Sequence, residues 1–331
     1  MAIPSGLGAQ LGIAAEGTYG TYTAPTTFLR PVKAGLKKVK NTDQGQGITA
    51  GQLLAAGARR AVTTIGATGS VDLELTTKKM GLLVQALMGT SVTPTLLETG
   101  VYQQLHTLAD QTGKSLSLQL GLPDAGGVVR PYTYLGCKVT SAQFDIEPGK
   151  IVTCSFEFDG QDVSEAQSLA AASFSVIEKP FIGTQGALKV GSTYGSEAAV
   201  ANVTKASIKI DRKLATDRYY LGGAGKKAEP LANDYVAITG TISADFTDKT
   251  VWADRFASDA EFSLDIPLVG ALIGATKSET FEFKIPGCRL DGDTPGLDGP
   301  DMISGDFTFQ ALFDGTNLPS ITIISTETTL G

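Results

Sequence analysis

Histidine is almost missing from this chain: His106 is the one imidazole among 331 residues. A metal site built on histidines is therefore excluded, and a Ser-His-Asp hydrolase would have no other base to draw on. His106 itself sits in Tyr102-Gln103-Gln104-Leu105-His106-Thr107 with no acidic or serine partner at a telling distance, and reads as structural. Cysteine is scarce as well. Cys137, Cys154 and Cys288 are odd in number and lack metal-ligand spacing, which suits buried, reduced thiols. With one tryptophan and 7% aromatics there is no aromatic-rich stretch to line a sugar groove. No apolar run approaches the roughly 18–20 residues of a membrane span. The N-terminus carries no basic segment followed by an apolar one, so no signal peptide is expected and synthesis in a cytoplasm is. Positive charge is outweighed, 27 Lys and Arg against 34 Asp and Glu for a net charge of -7, which gives no general footprint for gripping nucleic acid.

What is present is glycine, at 39 residues, and a hydrophobic period of two. Gly69-Ser70-Val71-Asp72-Leu73-Glu74-Leu75 alternates polar and apolar, as do Ser115 to Leu120, Val152 to Phe158 and Phe281 to Ile285. Glu147-Pro148-Gly149-Lys150 separates two such runs and predicts a tight turn within a hairpin. This habit belongs to antiparallel sheets with one buried face, so the expected class is mainly β. The polar side of the alternation carries Asp72, Glu74, Asp145, Glu157 and Asp245. Helical signal is confined to two places. Thr77 can cap a helix from Lys78 to Met88 that Gly89 stops, with Met80, Leu83, Ala86 and Leu87 as its apolar stripe. A second helix is predicted after Thr247, burying Val251, Trp252 and Phe256.

Each helix follows an alternating strand, and the coincidence exposes a duplication. Gly69 to Thr76 aligns with Gly240 to Thr247 at an offset of 171, Gly136-Cys137-Lys138-Val139 with Gly287-Cys288-Arg289-Leu290 at 151, and Phe158-Asp159-Gly160 with Phe313-Asp314-Gly315 at 155. The expected organisation is an extended N-terminal arm over 1–30, a first domain over 31–165, a linker over 166–180 and a second domain over 181–331. The arm is rich in Gly, Thr and Ala and lacks a counterpart, so it is expected to serve assembly and to be dispensable for folding. The glycine-rich stretch 41–60 reads as a loop ordered by a partner.

Chemical motifs fail one by one. Gly222-Gly223-Ala224-Gly225-Lys226-Lys227 lacks the Ser or Thr and the strand-to-helix setting of a phosphate loop. The acidic loop from Leu290 to Asp301 lacks the spacing of a calcium loop. Asp72 with Glu74 and Glu157 with Asp159 are the pairs a glycosidase would need, but lie on polar strand faces. The basic pairs Lys37-Lys38, Arg59-Arg60, Lys78-Lys79 and Lys226-Lys227 are scattered and suit acidic neighbours in an interface. No catalytic, metal or cofactor site is predicted.

The order of these segments resembles the phage tail tube proteins, the major tail proteins of long-tailed phages. The opening Leu7 to Thr21 with Pro25 to Leu29 is similar to that family's N-terminal segment. Gly69 to Thr76 with the Leu-rich helix ending at Gly89 resembles its first strand-helix unit, and Arg130 to Val139 its central hairpin. The resemblance implies a duplicated antiparallel β-sandwich or barrel domain with one flanking helix per repeat. It implies a structural virion protein, assembled in the host cytoplasm, whose stacked rings form a hollow tube that DNA passes through without specific binding. Tape measure and tail-terminator proteins are the implied partners. In the arm, Leu7, Gln10, Leu11, Ile13, Glu16, Tyr19 and Phe28 are expected to make assembly contacts, and the five carboxylates above to face the lumen or another wet surface. Two domains per chain predict a ring of three chains with pseudo-sixfold symmetry, six chains being the alternative if one half decorates the exterior. A receptor- or carbohydrate-binding module of a virion is the rival reading, and the exposed aromatic clusters it needs are not found in the sequence.

Overall fold

The computed structural model describes residues 5–174, 178–246, 249–291 and 303–331. The first half runs through β1 (Gln10–Ala15), β2 (Thr27–Leu29), β3 (Pro31–Ala34), β4 (Lys37–Gln44) and β5 (Arg60–Glu74) to helix α1 (Gly81–Met88). It continues with β6 (Thr95–Glu98), β7 (Val101–Thr107), β8 (Leu116–Pro123), β9 (Val129–Ile146), β10 (Thr153–Gly160) and β11 (Asp162–Ser164). The second half holds β12 (Lys189–Gly191), β13 (Ala198–Ala199), β14 (Val203–Asp211), β15 (Leu214–Ala215), β16 (Leu231–Ala232) and β17 (Ala237–Asp245), then α2 (Ala253–Ser258). It closes with β18 (Phe262–Leu272), β19 (Ser278–Leu290), β20 (Ser304–Leu312) and β21 (Ser320–Ser325). The protein is mainly β, antiparallel and sandwich-like, as the alternation predicts.

Two layers face each other. One is a run of eight strands in the order β4-β5-β10-β9-β14-β17-β20-β19. The other lies against its apolar face. In the first half it is β2-β1-β8-β9-β11. In the second it is β6-β7-β21-β19-β18-β12-β13. The long strands β9 and β19 belong to both layers and change layer near Gly136 and Gly287. Gly136 has φ 63°, and a side chain there would press on the Tyr19 ring. The turn between β9 and β10 has Lys150 N–H donating to Glu147 C=O at 3.1 Å, with Pro148 second and Gly149 third at φ 82°. Those are the residues a type II turn requires.

Both helices pack on strand faces. The α1 stripe is buried as expected, and Gly89 at φ 93° ends the helix with its N–H on Gln85 C=O at 2.8 Å. The helix begins at Gly81, three residues after the expected Lys78, because Lys79 sits at φ 64° and breaks the helical path. Thr77 is buried instead of capping. Just before α2, Trp252 stacks on Phe307 with ring centroids 5.1 Å apart. Thr247, where this helix was expected to begin, and the acidic stretch 292–302 lie outside the described residues.

The N-terminal segment is not a free arm. β1 runs between β2 and β8, with Leu11 and Ile13 fully buried and Phe28 and Leu29 nearly so. The low apolar density of residues 1–30 concealed this: Leu11, Ile13 and Leu29 share one face of the β1–β2 pair, and the neighbouring Phe28 is buried on the other. Residues 166–174 follow the same layer: Ala170 donates its N–H to Gln119 at 2.7 Å and accepts from Gln10 Nε2 at 2.8 Å. The halves share one apolar core. Phe144 of β9 meets Phe156 of its own half at 5.9 Å and Phe283 of the other at 4.8 Å between centroids. The β6–β7 hairpin also crosses over, β7 pairing with β21.

Two measurements follow. Ile13→Ala is expected to lower the unfolding free energy by about 2–5 kcal/mol in urea titration, and removal of residues 2–28 to leave an insoluble chain. His106 is fully buried, and burial pushes its imidazole down to about 4. A folded-state value below the unfolded one means that the unfolded chain takes up the proton first, so stability is lost as pH falls from about 6.5 towards 4, by roughly 3 kcal/mol. His106→Gln should remove that component, seen as a smaller fall in Tm between pH 7 and pH 4 than in the natural chain.

Candidate functional site

The eight-stranded layer is two copies of a four-stranded unit. β4-β5-β10-β9 is one, β14-β17-β20-β19 the other, and the pairing of β9 with β14 joins them. Registers make the correspondence residue by residue. Phe156 pairs with Val71 and Phe158 with Gly69, while Phe307 pairs with Ile242 and Phe309 with Gly240. Likewise Phe158 pairs with Val139 and Phe309 with Leu290. β5 and β17 thus match at offset 171, and both β9–β19 and β10–β20 at 151. The block at Phe313-Asp314-Gly315 is therefore out of register by four residues: Phe158-Asp159-Gly160 corresponds to Phe309-Gln310-Ala311.

Sequence reasoning missed a further block. Lys33-Ala34-Gly35-Leu36-Lys37 and Lys205-Ala206-Ser207-Ile208-Lys209 match at offset 172. They occupy the same place in each unit, since Lys33 pairs with Asp72 and Lys205 with its counterpart Ser243. The shared Lys-Ala-x-apolar-Lys pattern was the available signal.

All five carboxylates singled out from the alternation stand on one face of this layer, the face opposite the core. Thr153 pairs with both Glu74 and Asp145, Ser155 with Asp72, Glu157 with Ser70, and Asp245 with Ser304. Asp211 and Asp306 join them, as do Lys33, Lys37, Lys205 and Lys209. Asp159, opposite Thr68 in the row of Lys37, stands there too, so the residues named are eight carboxylates and four ammonium groups. Several are tied down: Ser155 donates to Asp72 at 2.5 Å and Ser141 to Glu157 at 2.9 Å. One end of the layer is an open edge, because among the described residues β4 pairs with β5 alone.

The residues expected to serve assembly are dispersed. Leu7 is exposed, Gln10 holds Ala170, and Leu11, Ile13 and Phe28 are core. Glu16 is buried with its carboxylate saturated by Gly20 N–H, Gly136 N–H and the Ser115 and Ser117 hydroxyls at 2.8–2.9 Å. Tyr19 packs beside it over Gly136, and burial raises its phenol well above the ordinary value. These groups fix where β9 bends.

The glycine-rich stretch that fails as a phosphate loop has another use. It belongs to the long β14–β17 connection, which reaches back over the first repeat. Gly225 C=O accepts from Ile65 N–H at 2.9 Å, in the position β10 vacates beyond Gly160. Lys227 pairs with Asp159 at 2.6 Å and Lys226 with Asp162 at 2.9 Å. Glu229 meets the fully buried Lys138 at 2.7 Å. Burial pulls the Lys138 ammonium down, and Glu229 acts against that. The basic pair thus meets acidic neighbours, within the chain.

A duplicated sheet with one face covered and the other bare, its repeats joined edge to edge, is the build of a structural subunit. The family model for phage tail tube proteins matches residues 6–311, and the chain belongs to that family, a structural component of the virion. Comparison with curated proteins found no match. Among the described residues no helix is long and apolar enough to cross a membrane.

Lys138→Ala removes one partner of a buried ion pair and is expected to destabilise the fold by about 3–5 kcal/mol. Chemical denaturation of the variant beside Lys138→Ala/Glu229→Ala checks this, the double variant losing less than the sum of the two single changes.

Proposed function

We propose that the chain polymerises as rings of three, stacked into the hollow tail tube through which the genome is delivered, and that it performs no catalysis. The observation that carries this reading is the β9–β14 junction: two repeats already sit side by side in one sheet, leaving β4 as an open edge for a neighbour. In the second repeat the stretch equivalent to the joining part of β9 is 292–297, which lies outside the described residues.

Strand number then sets the bore. Three chains of eight strands give 24, which at a spacing of about 4.8 Å close a barrel at least about 37 Å across between backbones. Twelve strands, one repeat from each of three chains, would span only about 18 Å and leave no room for a DNA duplex between side chains. Because the apolar face is covered by the second layer, the bare face with Asp72, Glu74, Asp145, Glu157 and Asp245 is the one that lines the lumen. Its excess of carboxylates repels phosphate, so DNA slides without specific binding. A tape measure protein inside the growing tube and a tail-terminator protein at its end are the partners this reading brings.

End-on electron micrographs of tubes assembled from the purified chain test the proposal. Threefold symmetry with six similar lobes is the expected outcome. Six identical chains per ring would mean that one repeat alone builds the barrel.

A further inference from the structure

The two repeats differ in what lies over the end of their sheets. On the first repeat the strip beside Ile65, Asp159 and Asp162 is occupied by residues 219–229. At the offsets of 171 and 151, the equivalent strip on the second repeat is Val236, Gln310 and Phe313. There it is an open apolar groove of about 420 Å³, lined by Val236, Ile238, Leu312, Phe313 and Leu318 among others. Phe313 is 64% exposed and Tyr235 93%. The occupant on the first repeat comes from the connection between the first two strands of the adjacent repeat, β14 and β17. The same connection in the first repeat is 45–59, between β4 and β5, and among the described residues it has no seat within its own chain. Ile48 and Leu53 are fully exposed and Leu54 is 82% exposed.

We propose that residues 45–59 of one copy dock into the Val236–Phe313 groove of the neighbouring copy in the ring, with Ile48, Leu53 and Leu54 as the apolar contacts. This rests on the ring reading, and it assigns a surface to each side of the contact between chains. The two sides change character together. Where the first repeat offers Asp162 to Lys226, the second offers Phe313; where the arriving loop of the second repeat brings Lys226 and Lys227, that of the first brings leucines. An ionic contact inside the chain becomes an apolar one between chains, which forms without a pre-placed partner charge. The geometry permits it. The β14–β17 connection crosses two strand spacings, about 10 Å, to reach its seat, and half of a loop the length of 45–59 extends about 20 Å. The same placement accounts for a loop that exposes apolar side chains at its tip, where solvent alone would favour polar ones.

Cysteine pairing tests the contact, since Cys137, Cys154 and Cys288 are all buried. Tubes of the Leu54→Cys/Phe313→Cys chain, treated with a short bis-maleimide, should yield covalent trimers on a denaturing gel, and either single variant only monomers. Assembled tubes whose double-cysteine chains stay monomeric would overturn the docking and leave the ring intact. A natural chain that never forms rings would overturn both. A second variant guards against a cysteine chain that fails to assemble: Leu53→Asp/Leu54→Asp should keep the natural Tm as a monomer and reduce ring formation about ten-fold or more. Rings formed by that variant at the natural yield would equally sink the proposal.

Discussion

An antiparallel sheet that ends leaves a row of backbone N–H and C=O groups without partners, and this molecule is organised around that constraint. Within the chain the first repeat's last strand, β9, meets the second repeat's first strand, β14, with Ala206 opposite Ile146 and Asp211 opposite Ser141. That pairing merges two four-stranded units into one continuous layer and fixes their rotation about each other. The shared core follows from it. Phe144, on the joining strand, reaches rings of both halves because it stands at the seam.

The bends in β9 and β19 depend on the same arrangement. A strand that serves the eight-stranded layer at one end and the second layer at the other must turn a corner, and Gly136 and Gly287 are where each does so. Around Gly136 the chain places a buried carboxylate, Glu16, whose oxygens take backbone and hydroxyl donors from three separate segments. A charge buried with that many donors holds its surroundings in one arrangement, since displacing any of them leaves an unsatisfied oxygen. The N-terminal segment therefore belongs to the frame of the first repeat.

The connection over 212–236 shows how one repeat is used to cover another. Its Lys226, Lys227 and Glu229 meet Asp162, Asp159 and Lys138, so six charges cluster where the first repeat's sheet ends. Lys138 lies fully out of solvent, and its cost is offset by Glu229 from the other half together with Gln111 C=O, which accepts from its ammonium, and the nearby Asp110. Neither repeat carries both members of these pairs, which makes the halves mutually dependent. Removing the connection would take the carboxylate from Lys138 and the ammonium from Asp159, while Asp162 would keep Lys38.

The period-two alternation was sufficient to determine the antiparallel class and, with Pro148-Gly149, the β9–β10 hairpin. Side-chain direction in a strand is a local property, so a sequence carries it directly. The duplication was legible too, as far as short blocks in order could show it. Other features are decided by contacts between segments far apart in the chain. Register is one: the match at Phe313 looked sound as letters and is four residues away from the pairing that the neighbouring strands impose. The role of residues 1–30 is another, because Leu11 and Ile13 become core only when β8 supplies the strand beside them. The Lys-Ala-x-apolar-Lys repeat gained meaning only once both copies were seen opposite equivalent residues of β5 and β17. A sequence states which way each side chain faces; which backbone edges meet is settled by the whole chain satisfying its hydrogen bonds at once.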